Sequence, residues 1–273
     1  MKKKYTFENI VAETLLIPLY MRAKESGRKD AILRDPEAGR LVERIDYDFS
    51  RLDGAKLSAV GCVVRGRYFD DAVRRFIAER RRPVVVNVGC GLDTRYQRIA
   101  ERGNALFVEM DLPEVIDLRR ELLPEPDADR YLAGSLLDTG WMDDLREQYP
   151  DGEFIFVIEG VLMYFREEQV WQLLGRLADR FGGGEVWFDV CGPMLARSKH
   201  LKPDSLRGHE ARIRSGIGDG HDIERREPRL TLIEQGIYQR FFPRRWGIGG
   251  RLLGLLPGLS KQFSSMLGYR IRE

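Results

Sequence analysis

The chain has 273 residues, 43% of them hydrophobic, and its 45 basic and 43 acidic side chains leave a formal net charge of +2. That near-cancellation excludes a global basic field of the kind that gathers nucleic acid or anionic surfaces, while the length suffices to bury a core as one large unit with an appended segment. Cys62, Cys90 and Cys191 are odd in number and widely spaced, which argues against a disulfide framework and fits a reducing cytoplasm, and no run approaches the roughly eighteen apolar residues of a membrane span.

At the amino end Met1-Lys2-Lys3-Lys4 looks like a positive leader, but Tyr5-Thr6-Phe7-Glu8-Asn9 interrupts the apolar core that a leader needs. Residues 7 to 24 and 47 to 80 carry apolar positions at helical spacing, among them Ile10, Leu15 and Leu16, then Val73, Phe76 and Ile77. These predict helices that precede a sheet, a cap over residues 1–80. The run Val84-Val85-Val86-Asn87-Val88 then predicts a strand buried on both faces, and it stops in Gly89-Cys90-Gly91-Leu92-Asp93-Thr94-Arg95. Gly89 and Gly91 permit a tight turn and close backbone approach to a nucleotide-like ligand. A glycine pair by itself is as readily an ordinary strand-to-helix turn.

The next strand decides between those readings. Residues 105–110 read as a strand that ends at Asp111, about twenty residues past Gly91, where such folds place the acid that meets ribose hydroxyls. A dinucleotide fingerprint would ask for a third glycine where this chain has Thr94, so a compact ligand such as S-adenosylmethionine fits better than a pyrophosphate. Helices near 95–102 and 113–122, a strand at 154–158, a helix from Glu167 to Phe181 closed by Gly182-Gly183-Gly184, and a strand at 185–190 continue the βα alternation of a parallel sheet. Beyond Gly192 the pattern loosens over 193–227. Pro228 predicts a helix through Glu234, and Tyr238 to Phe242 and Gly268 to Ile271 predict the last two strands. Gly254 and Pro257-Gly258 break the leucine-rich stretch Trp246 to Leu267 into short lengths, which reads as a connection packed on the core rather than a membrane or partner helix. The arginine clusters at 80–82, 225–226 and 244–245 read as solvated charges.

Four motifs in order carry a family resemblance. They are Arg65-Gly66-Arg67-Tyr68-Phe69-Asp70-Asp71, Asn87-Val88-Gly89-Cys90-Gly91-Leu92-Asp93-Thr94-Arg95, Val108-Glu109-Met110-Asp111-Leu112-Pro113 and Glu159-Gly160-Val161-Leu162-Met163-Tyr164. Together they resemble the leucine carboxyl methyltransferase family, which includes O-methyltransferases of polyketide and other small-molecule pathways. The resemblance implies a Rossmann-like class I methyltransferase fold: an α/β domain over 81–273 with a mostly parallel seven-stranded sheet, an antiparallel carboxyl-terminal hairpin and an acceptor lid over 192–227. It implies S-adenosylmethionine as cofactor, with Arg65 on the methionine carboxylate, Gly89 and Gly91 against the amino-acid portion, Asp111 on the ribose, Ser135 and Leu136 beside the adenine and Glu159 on the amino group. Arg67 is the alternative to Arg65 if the register slips.

Tyr164 reads either as a residue that orients the acceptor or as a core tyrosine. Relatives commonly show Asp-Leu-Arg-Asp where this chain has Ser135-Leu136-Leu137-Asp138, so the first adenine-side acid is missing and Asp138 keeps the second. His200, His209 and His221 fall in the loose segment at intervals that do not suit a metal, so no metal site is expected. They read as lid histidines, with a general base among them as the alternative. Methyl transfer from a sulfonium is an in-line displacement that needs alignment above all, and a carboxylate acceptor would require no base whereas a hydroxyl would profit from one. The reading is therefore a methyltransferase for an oxygen of a small molecule, with a protein carboxyl terminus as the second possibility. Alternatives of another class are a nicotinamide-dependent oxidoreductase and a catalytically silent cofactor-binding module.

Overall fold

Six parallel-sheet residues, Pro83–Val88, form β1, and every one of them is buried because helices cover both faces. The structure is a computed structural model and describes residues 14–198, 202–206 and 211–273. Before β1 come α1 (Leu16–Ser26), α2 (Pro36–Arg44) and the long α3 (Lys56–Glu79). After it follow α4 (Arg95–Arg98), β2 (Leu106–Asp111), α5 (Pro113–Leu122), β3 (Asp129–Ala133), α6 (Gly140–Gln148), β4 (Glu153–Ile158), α7 (Glu167–Arg180) and β5 (Glu185–Cys191). The chain closes with α8 (Pro193–Arg197), α9 (His221–Arg226), β6 (Leu230–Gly236), α10 (Gly247–Gly254), α11 (Pro257–Ser260) and β7 (Ser264–Ile271).

The seven strands run in the order β3-β2-β1-β4-β5-β7-β6. The first five pair in parallel, and β7 inserts antiparallel between β5 and β6. The order reverses at β1, where chain leaving β1 turns one way to β2 and the later strand β4 lies on the other side. Such a switch point opens a crevice beyond the carboxyl ends of the strands, and ligands of open α/β sheets bind there.

Strand alternation sorts the core into two layers. Val84, Val86, Phe154, Phe156, Val186 and Phe188 face α6 and α7, and Val85, Phe107, Ile155, Val157 and Trp187 face α3. A third cluster joins α1, α2 and the turn at Phe49–Leu52 to Leu92 of the glycine loop and to Leu118 and Leu122 of α5. The cap is thus packed onto the loop that follows β1.

Several expectations are corrected. The chain from Pro228 is not helical: Leu230–Gly236 is strand β6, since Leu230, Thr231 and Leu232 find partners in Ile271, Arg270 and Tyr269 of β7, and cross-strand pairing overrides a helix-start signal. Tyr238–Arg240 is a single 3-10 turn rather than a strand, which leaves a long connection, not a tight hairpin turn, between β6 and β7. The helix after Thr94 ends at Arg98, where Ile99 turns extended. The 47–80 span divides into a 3-10 turn, Phe49–Leu52, and α3. Helix α2 was not foreseen, although Asp35 caps it by accepting from Ala38 N at 3.0 Å and Pro36 sits at its first position. The amino-terminal part of the predicted 7–24 helix lies outside the described residues. The leucine-rich connection is packed on the core only in part: Trp246, Gly254 and Ser260 are buried, whereas Ile248, Leu252, Leu255, Leu256 and Leu259 are all exposed. No helix among the described residues is long and apolar enough to cross a membrane.

Candidate active site

The carboxyl ends of β1, β2, β4 and β5 open into a cavity of about 2100 Å³. Arg65, Gly89, Gly91, Asp111, Ser135, Leu136, Glu159 and Tyr164, all chosen from sequence, line it together. The volume is about twice the upper end of a pocket for one drug-sized ligand, near 1,000 Å³, which leaves room for more than one small molecule.

The glycine loop is shaped by what lies against it. Gly89 N and Cys90 N both donate to Met110 O at 2.7 and 3.1 Å, which folds the loop back over the end of β2. Gly89 has φ +71°, and a Cβ there would come within 2.5 Å of Val161 Cγ2, so this position requires glycine on two counts. Gly91 N donates to Asp111 Oδ2 at 2.7 Å, and Leu112 N donates to Oδ1 at 2.7 Å. Burial pushes the Asp111 carboxyl up, and these two backbone donors oppose the rise. From beneath, the buried Arg119 donates to the carbonyls of Gly91 (3.3 Å) and Asp93 (2.5 Å).

Beside the loop lies a buried ionic lattice that the sequence motifs did not reveal as one object. Arg65 Nε donates to Glu159 Oε1 at 3.1 Å and Nη1 to Asp189 Oδ2 at 2.8 Å. Arg95 reaches Asp70 at 2.9 Å, Glu159 at 2.6 Å and the Asn87 side-chain oxygen. Arg98 binds Asp70 at 2.7 Å and also Asp93. Arg22, from the cap, donates to Asp35 Oδ2 at 2.8 Å and to Leu92 O at 2.9 Å, and Thr94 donates to the same Asp35 oxygen at 2.5 Å. Thr94, the residue in place of a third glycine, therefore ties the loop to the cap. In this lattice Asp35, Asp70, Asp93, Glu159 and Asp189 face Arg22, Arg65, Arg95 and Arg98: five carboxylates against four guanidiniums leave one negative charge in excess.

Burial alone would discharge such groups, but the partners win. Desolvation opposes charge on Arg65, and Asp189 and Glu159 outweigh it and raise its pKa well above the ordinary value. Desolvation likewise opposes charge on Asp93, and Arg98 and Arg95 hold its carboxyl well below the usual range. Asp189 also accepts from Gly160 N at 2.6 Å and from the Tyr238 hydroxyl at 3.4 Å, so β5 positions the turn that carries Glu159. Asp189 and Tyr238 escaped the sequence reading. The signal available was a lone acid at the end of an otherwise apolar strand, Val186-Trp187-Phe188-Asp189-Val190.

Arg67 is not part of the site: it pairs with Asp71 on the exposed face of α3 at 2.7 Å. Asp138 is exposed and does not line the cavity, so it does not keep the expected adenine-side acid. Ser135 and Leu136 do line it. The Tyr164 hydroxyl, hydrogen-bonded to the Thr14 side chain, is pushed up to about 12 by burial and is therefore a neutral group at ordinary pH. Cys62, Cys90 and Cys191 are free thiols on the cavity wall, each with its pKa raised by burial. His221 is exposed, lies 2.5 Å from Glu224 and does not line the cavity, which removes it as a base. His200 and His209 lie outside the described residues. Among the described residues no cluster of ligands suits a metal ion.

The far wall comes from the segment after β5. Arg214 N donates to Met163 O at 2.7 Å, Ser215 Oγ to Leu162 O at 2.9 Å and Ile217 N to Cys191 O at 2.8 Å, so residues 211–217 run across the strand ends. Asp204 accepts from Leu57 N and Ser58 N, both at 2.9 Å, and from the Ser58 hydroxyl. Helix α3 has Ala55 at its cap position and no side-chain cap of its own, so Asp204 supplies that cap from the opposite wall. Lys202, Arg212 and Arg214 line the cavity without an ion pair among the described residues.

The comparisons with known proteins agree with this architecture. The model of the family described as leucine carboxyl methyltransferase matches residues 16–178. The chain is 34% identical over 225 residues to the tetracenomycin polyketide synthesis O-methyltransferase TcmP of Streptomyces glaucescens, covering 82% of each chain. It is 29% identical over 279 residues to the S-adenosyl-L-methionine-dependent methyltransferase dpfgK of Gibberella zeae, covering 95% of this chain and 92% of the other. Among solved structures, a DUF574 family protein of Streptomyces avermitilis superposes with a TM-score of 0.60 at 15% identity, over 96% of this chain and all of the other. A Thermobifida fusca protein assigned as a methyltransferase gives 0.57 at 18% identity, over 93% and 94%. These findings set aside the oxidoreductase reading, and with the fold and motifs above they place the chain in the leucine carboxyl methyltransferase family as an S-adenosylmethionine-dependent methyltransferase.

Proposed function

We propose that the protein is an O-methyltransferase for a carboxylate on a small, largely apolar molecule. The observation that carries this reading is the charge of the acceptor wall: Lys202, Arg212 and Arg214 line the cavity without an ion pair among the described residues, and Tyr164 stays protonated. An anionic acceptor is met by those cations and needs no base. The Streptomyces glaucescens relative is named for polyketide synthesis, which supports a small molecule over a protein carboxyl terminus.

The cofactor's chemistry fits the residues opposite. S-adenosylmethionine supplies an electrophilic methyl group and carries one net positive charge. The lattice beside the loop has one negative charge in excess, which suits such a ligand. Arg65 has Nε and Nη1 committed to Glu159 and Asp189, so Nη2 is the donor for the methionine carboxylate. Glu159 meets the ammonium, Gly89 and Gly91 admit the chain closely through bare backbone, and Asp111 accepts from the ribose hydroxyls. Ser135 and Leu136 border the adenine. Tyr164 orients the acceptor by a neutral hydrogen bond and with Arg65 forms the polar floor on which donor and acceptor are aligned. The described parts of the cap and of the lid border the cavity, where they would limit water around the reacting groups, and alignment in such a site is the main source of rate for an in-line displacement.

The test combines calorimetry and an acceptor screen. S-adenosylmethionine and S-adenosylhomocysteine should bind saturably and nicotinamide dinucleotides should not, with Asp111→Ala weakening the adenosyl ligands by about tenfold or more. Aromatic carboxylic acids should gain one methyl as esters by mass spectrometry, and their pre-formed methyl esters should not react. Turnover of phenols with no turnover of acids would overturn the carboxylate reading.

A further inference from the structure

The segment between β6 and β7 is built inside out for a protein in water. Its exposed apolar residues are Ile248 and Leu252 on α10, Leu255 and Leu256 in the break that follows, and Leu259 on α11. They are not marginal: Ile248 is 79% and Leu255 74% exposed. A Cβ at Gly254 would sit 3.1 Å from the Gln239 carbonyl oxygen, and one at Gly250 would sit 2.5 Å from Trp246 Cβ. Gly254 thus lets the helix lie close against the Gln239 backbone, Leu253 is half-buried beside the cavity, and Ile248 and Leu252 are turned outward. At the head of the segment Phe242 is also exposed and adopts φ +52°, the one non-glycine residue with positive φ among the described residues. A left-handed conformation costs an aromatic residue energy, and here it holds a ring in solvent.

Charge says what covers this surface. The whole chain is balanced, but from Gln235 to Arg272 there is no acid, while Arg240, Arg244, Arg245, Arg251 and Lys261 fall within that stretch. Arg245 is committed to Glu25 at 2.7 Å, Arg240 to Gly254 O at 3.1 Å and Lys261 to Asp219 at 3.7 Å. Arg244 and Arg251 are exposed and have no ion pair among the described residues. We propose that residues 242–259 seat the protein on an anionic lipid surface, with the exposed aliphatic side chains and Phe242 entering the acyl boundary and Arg244 and Arg251 meeting the headgroups. A second copy of the chain would bring the same two cations against themselves in a two-fold contact. An acidic protein would satisfy the cations but would need a matching apolar face, whereas an anionic bilayer offers both at one depth. Ile248 and Leu253 also line the large cavity, as does the exposed Leu57, so the cavity opens at the proposed lipid-facing surface.

Vesicle flotation tests this. The purified protein should float with vesicles of phosphatidylcholine mixed with phosphatidylglycerol, less with phosphatidylcholine alone, and recovery on the anionic vesicles should fall as salt is raised. Leu255→Glu/Leu256→Glu should reduce partition by about tenfold or more, and Arg244→Gln/Arg251→Gln by about fivefold per arginine on the anionic vesicles only. Both variants should keep the wild-type affinity for S-adenosylmethionine by calorimetry, which separates loss of anchoring from loss of fold. Equal recovery of wild type and variants on both vesicles would overturn the proposal. So would a concentration-dependent dimer in light scattering that the leucine variant abolishes while vesicles recover nothing.

Discussion

The two walls of the cavity are held in opposite ways. On the donor side Arg65, Arg95 and Arg98 are almost fully enclosed, and each has at least two carboxylate partners. On the acceptor side Lys202, Arg212 and Arg214 have no ion pair among the described residues, and the segment is tied on largely by backbone bonds and by Asp204. A wall that meets one fixed ligand profits from rigid, mutually locked charges, since nothing then reorganises when the ligand arrives. The wall proposed for the acceptor instead presents charges without ion pairs among the described residues.

The largest test of that contrast is Arg95→Ala. It removes the cation shared by Asp70, Asp93 and Glu159 in a side chain 1% exposed, and unpaired buried carboxylates are costly. Stability should fall by about 3–5 kcal/mol in urea unfolding, whereas removal of Arg212 should leave it within about 0.5 kcal/mol. Equal losses would mean that the two walls are not differently held. Next is Gly89→Ala. The positive φ and the Val161 methyl at 2.5 Å should together cost about 2 kcal/mol, and affinity for S-adenosylmethionine should fall with stability because the same turn shapes the loop.

A third test lies behind the glycine loop. Asp129 is pushed up to about 8, first by burial and then by the neighbouring Glu109, with only partial relief from Arg119. Neither of its oxygens has a hydrogen-bond partner. The folded pKa lies above the unfolded value, so the folded state holds the extra proton between about pH 4 and pH 8. Stability must fall as pH rises through that window and level off above it. Asp129→Asn should flatten the slope and raise stability at pH 8.5 by about 1–2 kcal/mol. An unchanged slope in thermal scans across that range would remove Asp129 as its source.

The same contrast explains how much was legible in the sequence. The donor wall is made by short motifs in which the chain itself fixes neighbours: Gly89 and Gly91 flank one turn, Asp111 ends one strand, and Glu159 ends another. Those residues were readable, as was the mostly parallel character of the sheet, because βα alternation implies it, although β3 was not foreseen. What could not be read was the convergence, since Asp35, Asp70 and Asp189 come from three distant elements and look like ordinary surface acids until the fold buries them. The acceptor wall has no such local grammar. Leu230 to Gly236 carried a helix-start proline yet became a strand because β7 was there to pair with it, and the leucines of 248–259 looked like core residues because hydrophobicity does not say which way a helix faces.

The smallest expected effect joins the two walls. Asp204 belongs to the acceptor segment, yet its carboxylate caps α3, the helix that presents Arg65 to the donor side. Asp204→Ala should cost about 1 kcal/mol of stability, the value of a lost cap, and Asp204→Asn should restore part of it, because its one amide oxygen can replace the Oδ1 that accepts from Ser58 N but not also the Oδ2 that accepts from Leu57 N. If the walls are independent, the alanine variant changes acceptor KM several-fold and leaves the affinity for S-adenosylmethionine as it was. If the cap holds Arg65 in register, cofactor affinity falls by a similar factor and the asparagine variant rescues both. About two helical turns separate Ser58 from Arg65, and the second is anchored by the buried Val63 and Val64 and by the Arg65 ion pairs, so fraying of the first turn should stop before Arg65. The expected outcome is therefore a change in acceptor KM alone, and a matched loss of cofactor binding would show that the acceptor segment sets the donor site through its hold on α3.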